Sequence, residues 1–190
     1  MALHSIKSSL KNIKSLQTHH WLVIIIVIAI LPRLAMSFYI GDNIVNLPGT
    51  YDEVSYDMLA QQVLAGKGLT VAADWWPATA AGEPTAHWSY LYTFFLTGVY
   101  AVFGHHPLVV RIIQAILAGI LTPLLAYRVG NRYFNTRVGL VTAGLAALYI
   151  YFIFYSASLI TETFYIISVL WIFDIVGQMV DELKSSRSIQ

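Results

Sequence analysis

Four long apolar stretches constrain the fold of this chain more than any other feature. They span residues 21–40, 107–127, 138–157 and 162–180. An apolar run of about 20 residues is long enough to cross the hydrocarbon core of a bilayer as one α-helix. Charged residues make up 11% of the sequence, against roughly 25% in a soluble domain, so the chain cannot cover a water-facing surface. The sequence therefore predicts an all-α, polytopic membrane protein.

The first apolar stretch has two interpretations. The residues before it, 1–20, are polar and carry three lysines without an acid: Lys7, Lys11 and Lys14. With a cleavage site at residues 35–37, this pattern also fits a secretory signal peptide. The apolar run continues to Ile40, which favours a spanning helix at 21–40 behind a cytoplasmic tail.

A large polar loop, 41–106, separates the first two spans. Its first part, residues 41–87, holds six of the chain's ten acidic residues, and charged groups are costly in lipid. Within it, Thr50 and Glu53 match a capping box, and apolar residues then recur at helical spacing until a pair of glycines. We expect an amphipathic helix at 51–65 that lies on the membrane surface.

A second surface helix is expected at 88–103, an aromatic run without charge. At ~1.5 Å per residue this helix reaches only ~24 Å, short of the ~30 Å hydrocarbon core. If it lies along the outer leaflet, the arginine-rich turn after the second span falls in the cytoplasm, where basic loops are retained. This topology has four spans, a cytoplasmic N-terminus and a cytoplasmic tail at 181–190, in the plasma or inner membrane.

Two adjacent carboxylates, Asp52 and Glu53, are the first candidates for catalysis. They lie at the start of the expected surface helix, where the helix dipole stabilises anions, and a general base needs a position within reach of a bound hydroxyl. Tyr56 follows Asp52 by about one helical turn and shares its face, which makes it a candidate for substrate binding. The alternative is structural, with Glu53 as a capping residue and Asp52 as a solvated acid.

Further candidates lie at the outer ends of the later spans. Glu162 begins the last span, where an acid is either functional or an interfacial cap. The guanidinium of Arg111 suits a lipid phosphate, although Arg111 and Arg33 also fit arginines that snorkel to the head groups. His87 is a candidate for binding phosphate, or a metal together with Glu83, or for a structural role.

Other chemistry finds less support in the sequence. It has no Gly-rich phosphate loop, no Ser-His-Asp arrangement and no zinc signature, so no cofactor is assigned and a divalent metal stays an open alternative. A net charge of +1 argues against nucleic-acid binding. Asp174 lies inside the last span and is expected to pair with a helix outside this chain. A transporter is disfavoured because no span carries an unwound Gly/Pro stretch.

The candidate residues follow one another in a recognisable order. After one span come Tyr51-Asp52-Glu53-Val54-Ser55-Tyr56-Asp57-Met58-Leu59-Ala60 and Gly66-Lys67-Gly68, then an aromatic helix ending in Val102-Phe103-Gly104, then Val110-Arg111, an arginine-rich turn and Leu159-Ile160-Thr161-Glu162. Over most of residues 21–180 this order resembles the N-terminal part of the GT-C glycosyltransferases. The resemblance is to the protein O-mannosyltransferases and the lipid A aminoarabinose transferases.

The resemblance implies a reaction and roles for the matching residues. The family transfers a sugar from a polyprenyl-phosphate donor to a hydroxyl acceptor on the outer face, and attack opposite the phosphate implies inversion. The family's catalytic base falls on Asp52 with Glu53 beside it, and its later acid falls on Glu162. Its arginine falls on Arg111, which would serve the carrier's phosphate or the packing of the loop. Many members have Lys-Pro or Pro-Pro before the aromatic segment, where this chain reads Glu83-Pro84-Thr85-Ala86-His87, so the resemblance does not fix the role of His87.

Members of this family have many more spans than this chain. We therefore expect a fragment, a truncated gene or one half of a split enzyme. A second membrane chain would then supply the missing helices, and this chain would be inactive alone. The alternative is a non-catalytic membrane subunit built on the same N-terminal fold, which neither binds nor consumes a lipid-linked sugar.

Overall fold

The computed structural model describes the backbone of residues 2–44, 51–75 and 79–187, and side chains of these from Thr18 to Ser186. The described residues form no β-strand and seven α-helices: α1 (Ala2–Ile40), α2 (Asp52–Leu64), α3 (Tyr90–Phe103), α4 (Pro107–Tyr133), α5 (Thr136–Leu148), α6 (Ile150–Ala157) and α7 (Glu162–Arg187). The prediction of an all-α fold is therefore confirmed. The side chains of Lys7, Lys11 and Lys14, and the whole of Thr50, lie outside the described residues.

Among the residues that the structure describes, three helices are long and apolar enough to cross a membrane. They are Thr18–Ile40 within α1, Pro107–Tyr133 and Glu162–Ser186 within α7. α5 and α6 pass the same test together, which makes a fourth span if the bent pair is one span. α3 has 14 residues and is too short to cross, as expected of a juxtamembrane helix. The prediction of a polytopic membrane protein with about four spans is confirmed.

The helix predicted at 138–157 is interrupted. α5 and α6 meet at Tyr149, whose φ of −65° and ψ of 118° are extended, and the two helices differ in direction by 52°. No glycine or proline lies at the break. The expectation of one continuous helix was wrong. It could not have been corrected from the sequence, because glycine and proline, the usual signals of a break, are missing here.

One compact unit comprises residues 1–32, 117–152 and 164–190. An apolar cluster joins α4 to α7 within it: Ala118, Leu121, Leu125, Ile167 and Leu170. Glycine allows close backbone packing between α4 and α5, since a Cβ atom at Gly139 would lie 2.8 Å from the carbonyl oxygen of Tyr127. Small residues serve the same purpose in other membrane helix contacts.

A charged network is the polar feature of this first unit. The buried carboxylate of Asp174 forms ion pairs with Arg128 Nη2 at 2.7 Å and with Arg132 Nη2 at 3.5 Å. The side-chain amide of Gln178 donates to it at 3.0 Å. α4 continues to Tyr133 and so carries both arginines on a helix. The expectation that Asp174 pairs with a helix outside the chain was therefore wrong.

The second compact unit comprises residues 33–116 and 153–163. In it α2 packs against α3, with the ring of Tyr56 edge-on to that of Tyr92 at a centroid distance of 4.8 Å. Leu59 is buried on α2 as expected, whereas Leu64 is 43% exposed. Several polar side chains of α2 are also buried: Glu53, Ser55, Asp57 and Gln62. The buried face of α2 therefore carries polar side chains as well as the apolar residues that the periodicity indicated.

Candidate active site

The first turn of α2 carries the Glu53 carboxylate into the interior of the second unit. α2 begins at Asp52, and its N-cap residue Tyr51 makes no side-chain hydrogen bond. Glu53 is 1% exposed, and its Oε1 accepts a hydrogen bond from the backbone N–H of Leu159 at 2.8 Å. The same oxygen lies 3.2 Å from Nη2 of the fully buried Arg111. Glu53 is therefore one half of a buried ion pair that connects α2 to α4.

Arg111 also contacts the end of α1. Its Nη2 donates to the carbonyl oxygen of Asn43 at 2.6 Å, and the Ser37 hydroxyl donates to the carbonyl oxygen of Arg111 at 3.4 Å. Within the described part of the chain, Nε and Nη1 of Arg111 have no hydrogen-bond partner. Arg33 is fully buried as well. Neither arginine reaches out to the head groups, so the snorkelling interpretation was wrong for both.

The hydroxyl of Tyr56 lies where α2, the start of α3 and the turn before α7 meet. It accepts a hydrogen bond from the backbone N–H of Ser89 at 3.2 Å, and it is hydrogen-bonded to the side chain of Thr161. Burial raises the pKa of Tyr56, and the nearby charges of Asp52 and Glu162 raise it further. The structure therefore brings Asp52 and Glu162, which are far apart in the sequence, within electrostatic range of one hydroxyl.

Asp52 and Glu162 have similar surroundings. Each is half-buried and each is the first residue of its helix, α2 or α7. Among the described residues, Oε2 of Glu162 is buried without a hydrogen-bond partner. A carboxylate oxygen in that state is able to accept a hydrogen bond or a proton from a ligand.

His87 lies on the exposed surface of the same unit. Its ring packs edge-on against Trp88 at a centroid distance of 4.7 Å, and its backbone N–H donates to the Thr85 hydroxyl at 3.3 Å. Glu83, the other suggested metal ligand, is also exposed. No group of three His, Cys, Asp or Glu side chains that could hold a metal ion occurs in the residues that the structure describes.

A small cavity lies beside the ion pair in the second unit. Its volume is about 320 Å³, and Glu53 is the one charged residue among those that line it: Met36, Tyr39, Ile40, Asn43, Glu53, Phe154 and Ser158. Ligand pockets are commonly apolar with a few polar groups that fix orientation. This lining has that character.

Two buried polar residues of this unit were missed by the sequence analysis. The Tyr92 hydroxyl donates to Oε1 of Gln114 at 2.6 Å, and Nε2 of Gln114 donates to the carbonyl oxygen of Ser158 at 2.9 Å. Gln114 follows Arg111 by one helical turn in an otherwise apolar run. An uncharged polar residue in a span is a sequence signal for such contacts.

A second polar cluster joins the middle of α2 to the end of α3. The buried carboxylate of Asp57 accepts a hydrogen bond from the Tyr100 hydroxyl at 2.6 Å and from the Gln61 amide at 2.7 Å. It also lies 2.8 Å from Nε2 of His105, whose side chain is 45% exposed. These contacts anchor α2 at a second point, one turn beyond Asp52 and Glu53.

The fold and the site together define a polytopic α-helical membrane protein that brings carboxylates from two helix starts within electrostatic range of one tyrosine hydroxyl. The model of the dolichyl-phosphate-mannose-protein mannosyltransferase family matches residues 87–182. The chain belongs to this family, and the resemblance to the GT-C glycosyltransferases is confirmed. The matched region includes Arg111 and Glu162, whereas Asp52 and Glu53 precede it. A search of curated proteins and a search of solved structures each found no match.

Proposed function

We propose that this chain carries the N-terminal part of a membrane glycosyltransferase. The enzyme would move a sugar, with mannose as the first candidate, from a polyprenyl-phosphate donor to a hydroxyl acceptor. The observation that carries the proposal is the position of Asp52 and Glu162, the first residues of two different helices, within electrostatic range of the Tyr56 hydroxyl. Two carboxylates from different helices, close to a phenol and at the end of apolar spans, suit chemistry on a lipid-linked substrate.

In the proposed reaction, the acceptor hydroxyl attacks the anomeric carbon of the donor sugar. Asp52 takes the proton of that hydroxyl, and the bond from the anomeric carbon to the phosphate oxygen breaks. Because attack comes from the face opposite the departing phosphate, the configuration at the anomeric carbon inverts. Glu162 would accept a hydrogen bond from the acceptor through Oε2, the oxygen without a partner among the described residues.

Glu53 and Arg111 are proposed to support the site without contacting the substrate. Both are almost completely buried, so Glu53 would hold the first turn of α2 in place through Leu159 and Arg111. The positive charge of Arg111 would favour the departing phosphate through space, since fixed charges act strongly in a site that excludes water. His87 is exposed and close in sequence to α3, and it remains our candidate for a contact with the phosphate.

The site is proposed to face the outer side of the plasma or inner membrane, with the N-terminus in the cytoplasm. The basic residues after the second span support this orientation. Oxygen ligands for a divalent metal would have to come from the substrate as well as from Asp52 or Glu162. We therefore assign no metal to the protein itself.

The test is the change Asp52→Asn in the full chain, reconstituted in lipid nanodiscs with a radiolabelled polyprenyl-phosphate mannose and a hydroxyl acceptor. A general base contributes typically 10²–10⁴-fold to rate, so transfer should fall by about that factor while membrane insertion stays normal. The control is Asp74→Asn. Asp74 is an exposed acid of the same loop whose Oδ1 accepts from Ala81 N–H, a bond that asparagine can keep.

Two results would contradict the proposal. Retained transfer in Asp52→Asn would rule out Asp52 as the base. Failure of the wild-type chain to bind or consume the lipid-linked sugar would favour the non-catalytic subunit. If activity appeared only with a second polypeptide, the chain would be one part of a split enzyme.

A further inference from the structure

One buried amide holds three segments of the second unit together. Gln114 on α4 is fully buried, and its Oε1 accepts a hydrogen bond from the Tyr92 hydroxyl of α3 at 2.6 Å. Its Nε2 donates to the carbonyl oxygens of Ser158 at 2.9 Å and Ser156 at 3.3 Å. The amide oxygen and both N–H donors are therefore in use. Only one orientation of the amide satisfies all three partners.

One of these bonds falls on a peptide group that Glu53 holds from the other end. The Ser158 carbonyl and the Leu159 N–H belong to the same peptide group, which is planar. Gln114 donates to that carbonyl, and the Glu53 carboxylate accepts from that N–H. A planar group bonded at both ends cannot rotate without breaking a bond. The Ser158–Leu159 peptide is therefore fixed between α4 and α2.

This peptide lies in the short connection from α6 to α7. α6 ends at Ala157 and α7 begins at Glu162, so the carbonyl groups at the end of α6 have no N–H partner within the helix. Gln114 supplies the missing donors from another helix. The connection then leads to Thr161, which is hydrogen-bonded to Tyr56, and to Glu162, which lies within electrostatic range of it. The orientation of one peptide thus governs the path of the chain into the candidate site.

We propose that Gln114 and Tyr92 are positioning residues that keep Asp52 and Glu162 in register. They do so by fixing the Ser158–Leu159 peptide, to which the first turn of α2 is bonded through Glu53. Neither residue contacts the substrate. The catalytic consequence of this inference rests on the proposed function, whereas its structural consequence does not.

Packing alone does not explain this arrangement. Burying a polar side chain in an apolar interior is unfavourable unless its hydrogen bonds are made, and an apolar residue of similar size would fill the same space. The polar groups of Gln114 and Tyr92 serve to fix the orientation of the Ser158–Leu159 peptide. A small displacement of reacting groups costs as much as 10²-fold in rate, so loss of that orientation should appear in turnover.

The experiment compares Tyr92→Phe, which removes only a hydroxyl, with Gln114→Met, which keeps the size and removes the amide. In the reconstituted full chain each variant should lower kcat by about 10–100-fold with KM nearly unchanged. Hydrogen exchange of the segment containing Leu159 N–H should become faster in both. The matched control is Thr97→Val on α3, because among the described residues the Thr97 hydroxyl donates within its own helix, to the Thr93 carbonyl oxygen.

The exchange measurement needs no turnover and separates the two proposals. A wild-type chain without transfer activity refutes the proposed function and leaves the exchange test intact. Wild-type exchange at Leu159 in Tyr92→Phe overturns the positioning role, and so does equally fast exchange in Thr97→Val. If Gln114→Met does not fold, Tyr92→Phe decides alone.

Discussion

The two compact units each bury an acid beside arginine, but with different access to water. In the first unit, Asp174 is fully buried, while the side chains of Arg128 and Arg132 are 44% and 23% exposed. In the second unit, Glu53 and Arg111 are both buried, at 1% and 0%. Both pairs lie within or next to apolar helices. A carboxylate–guanidinium pair therefore occurs in two different electrostatic environments, one with partly exposed arginines and one fully buried.

The difference shows what separates a structural charge from a candidate catalytic one. Asp174 is contacted by two arginines and by Gln178. The second unit, by contrast, contains the two half-buried acids of the candidate site, Asp52 and Glu162, and Oε2 of Glu162 has no hydrogen-bond partner among the described residues. Burial of an ion pair is therefore not the distinguishing property. A carboxylate oxygen that is buried without a hydrogen-bond partner, as in Glu162, is the better guide.

The largest expected effect comes from breaking the pair in the second unit. Arg111→Met leaves the Glu53 carboxylate buried without its cation, and removal of one partner of a buried pair costs about 3–5 kcal/mol. The free energy of unfolding should fall by that amount. It is measured by denaturant titration in detergent micelles, followed by the fluorescence of the chain's five tryptophans.

A double variant provides the control for this loss. Glu53→Gln combined with Arg111→Met removes the charge as well as its partner, and the glutamine oxygen can still accept from Leu159 N–H. It should regain a substantial part of the lost stability. If the single and double variants were equally unstable, lost packing rather than an unpaired charge would be responsible.

A smaller effect is expected from the same substitution in the first unit. Arg128→Met, on the same helix α4, leaves Asp174 with Arg132 and Gln178 as partners. Exposed ion pairs contribute about 0–1 kcal/mol, so the free energy of unfolding should fall by about 1 kcal/mol or less. Sugar transfer should be retained. A loss as large as that of Arg111→Met would remove the distinction between the two units.

The smallest expected effect is confined to alkaline pH. Because burial raises the pKa of Tyr56 above its usual value of about 10, its contribution to stability is complete below pH ~10. That contribution is lost as the pH rises through the pKa of the folded state. Tyr56→Phe should therefore show a shallower loss of stability above pH ~10, measured by unfolding at several pH values. An identical pH dependence in the wild type and the variant would contradict the raised pKa.

The sequence was most informative about the helices and least about the contacts between them. The apolar runs predicted the spans because length and hydropathy are local properties. The arginine partners of Asp174 come from a distant segment, which periodicity does not report, and the break at Tyr149 has no glycine or proline to mark it. Among the site residues, charged side chains were found because they are rare in apolar runs, whereas Gln114 carries the weaker signal of an uncharged polar residue in a span and Tyr92 is one of twelve tyrosines.

The bend between α5 and α6 has a consequence for the lipid around it. α5 has 13 residues and so a length of only ~20 Å, less than the ~30 Å thickness of the hydrocarbon layer. The carbonyl groups released where α5 stops require hydrogen-bond donors, since bare backbone is not tolerated in contact with acyl chains. If the pair crosses as one span, solvent, head groups or protein donors have to penetrate to the depth of Tyr149. The hydrocarbon layer around Tyr149 would then be effectively thinner than the hydrocarbon layer of the surrounding bilayer.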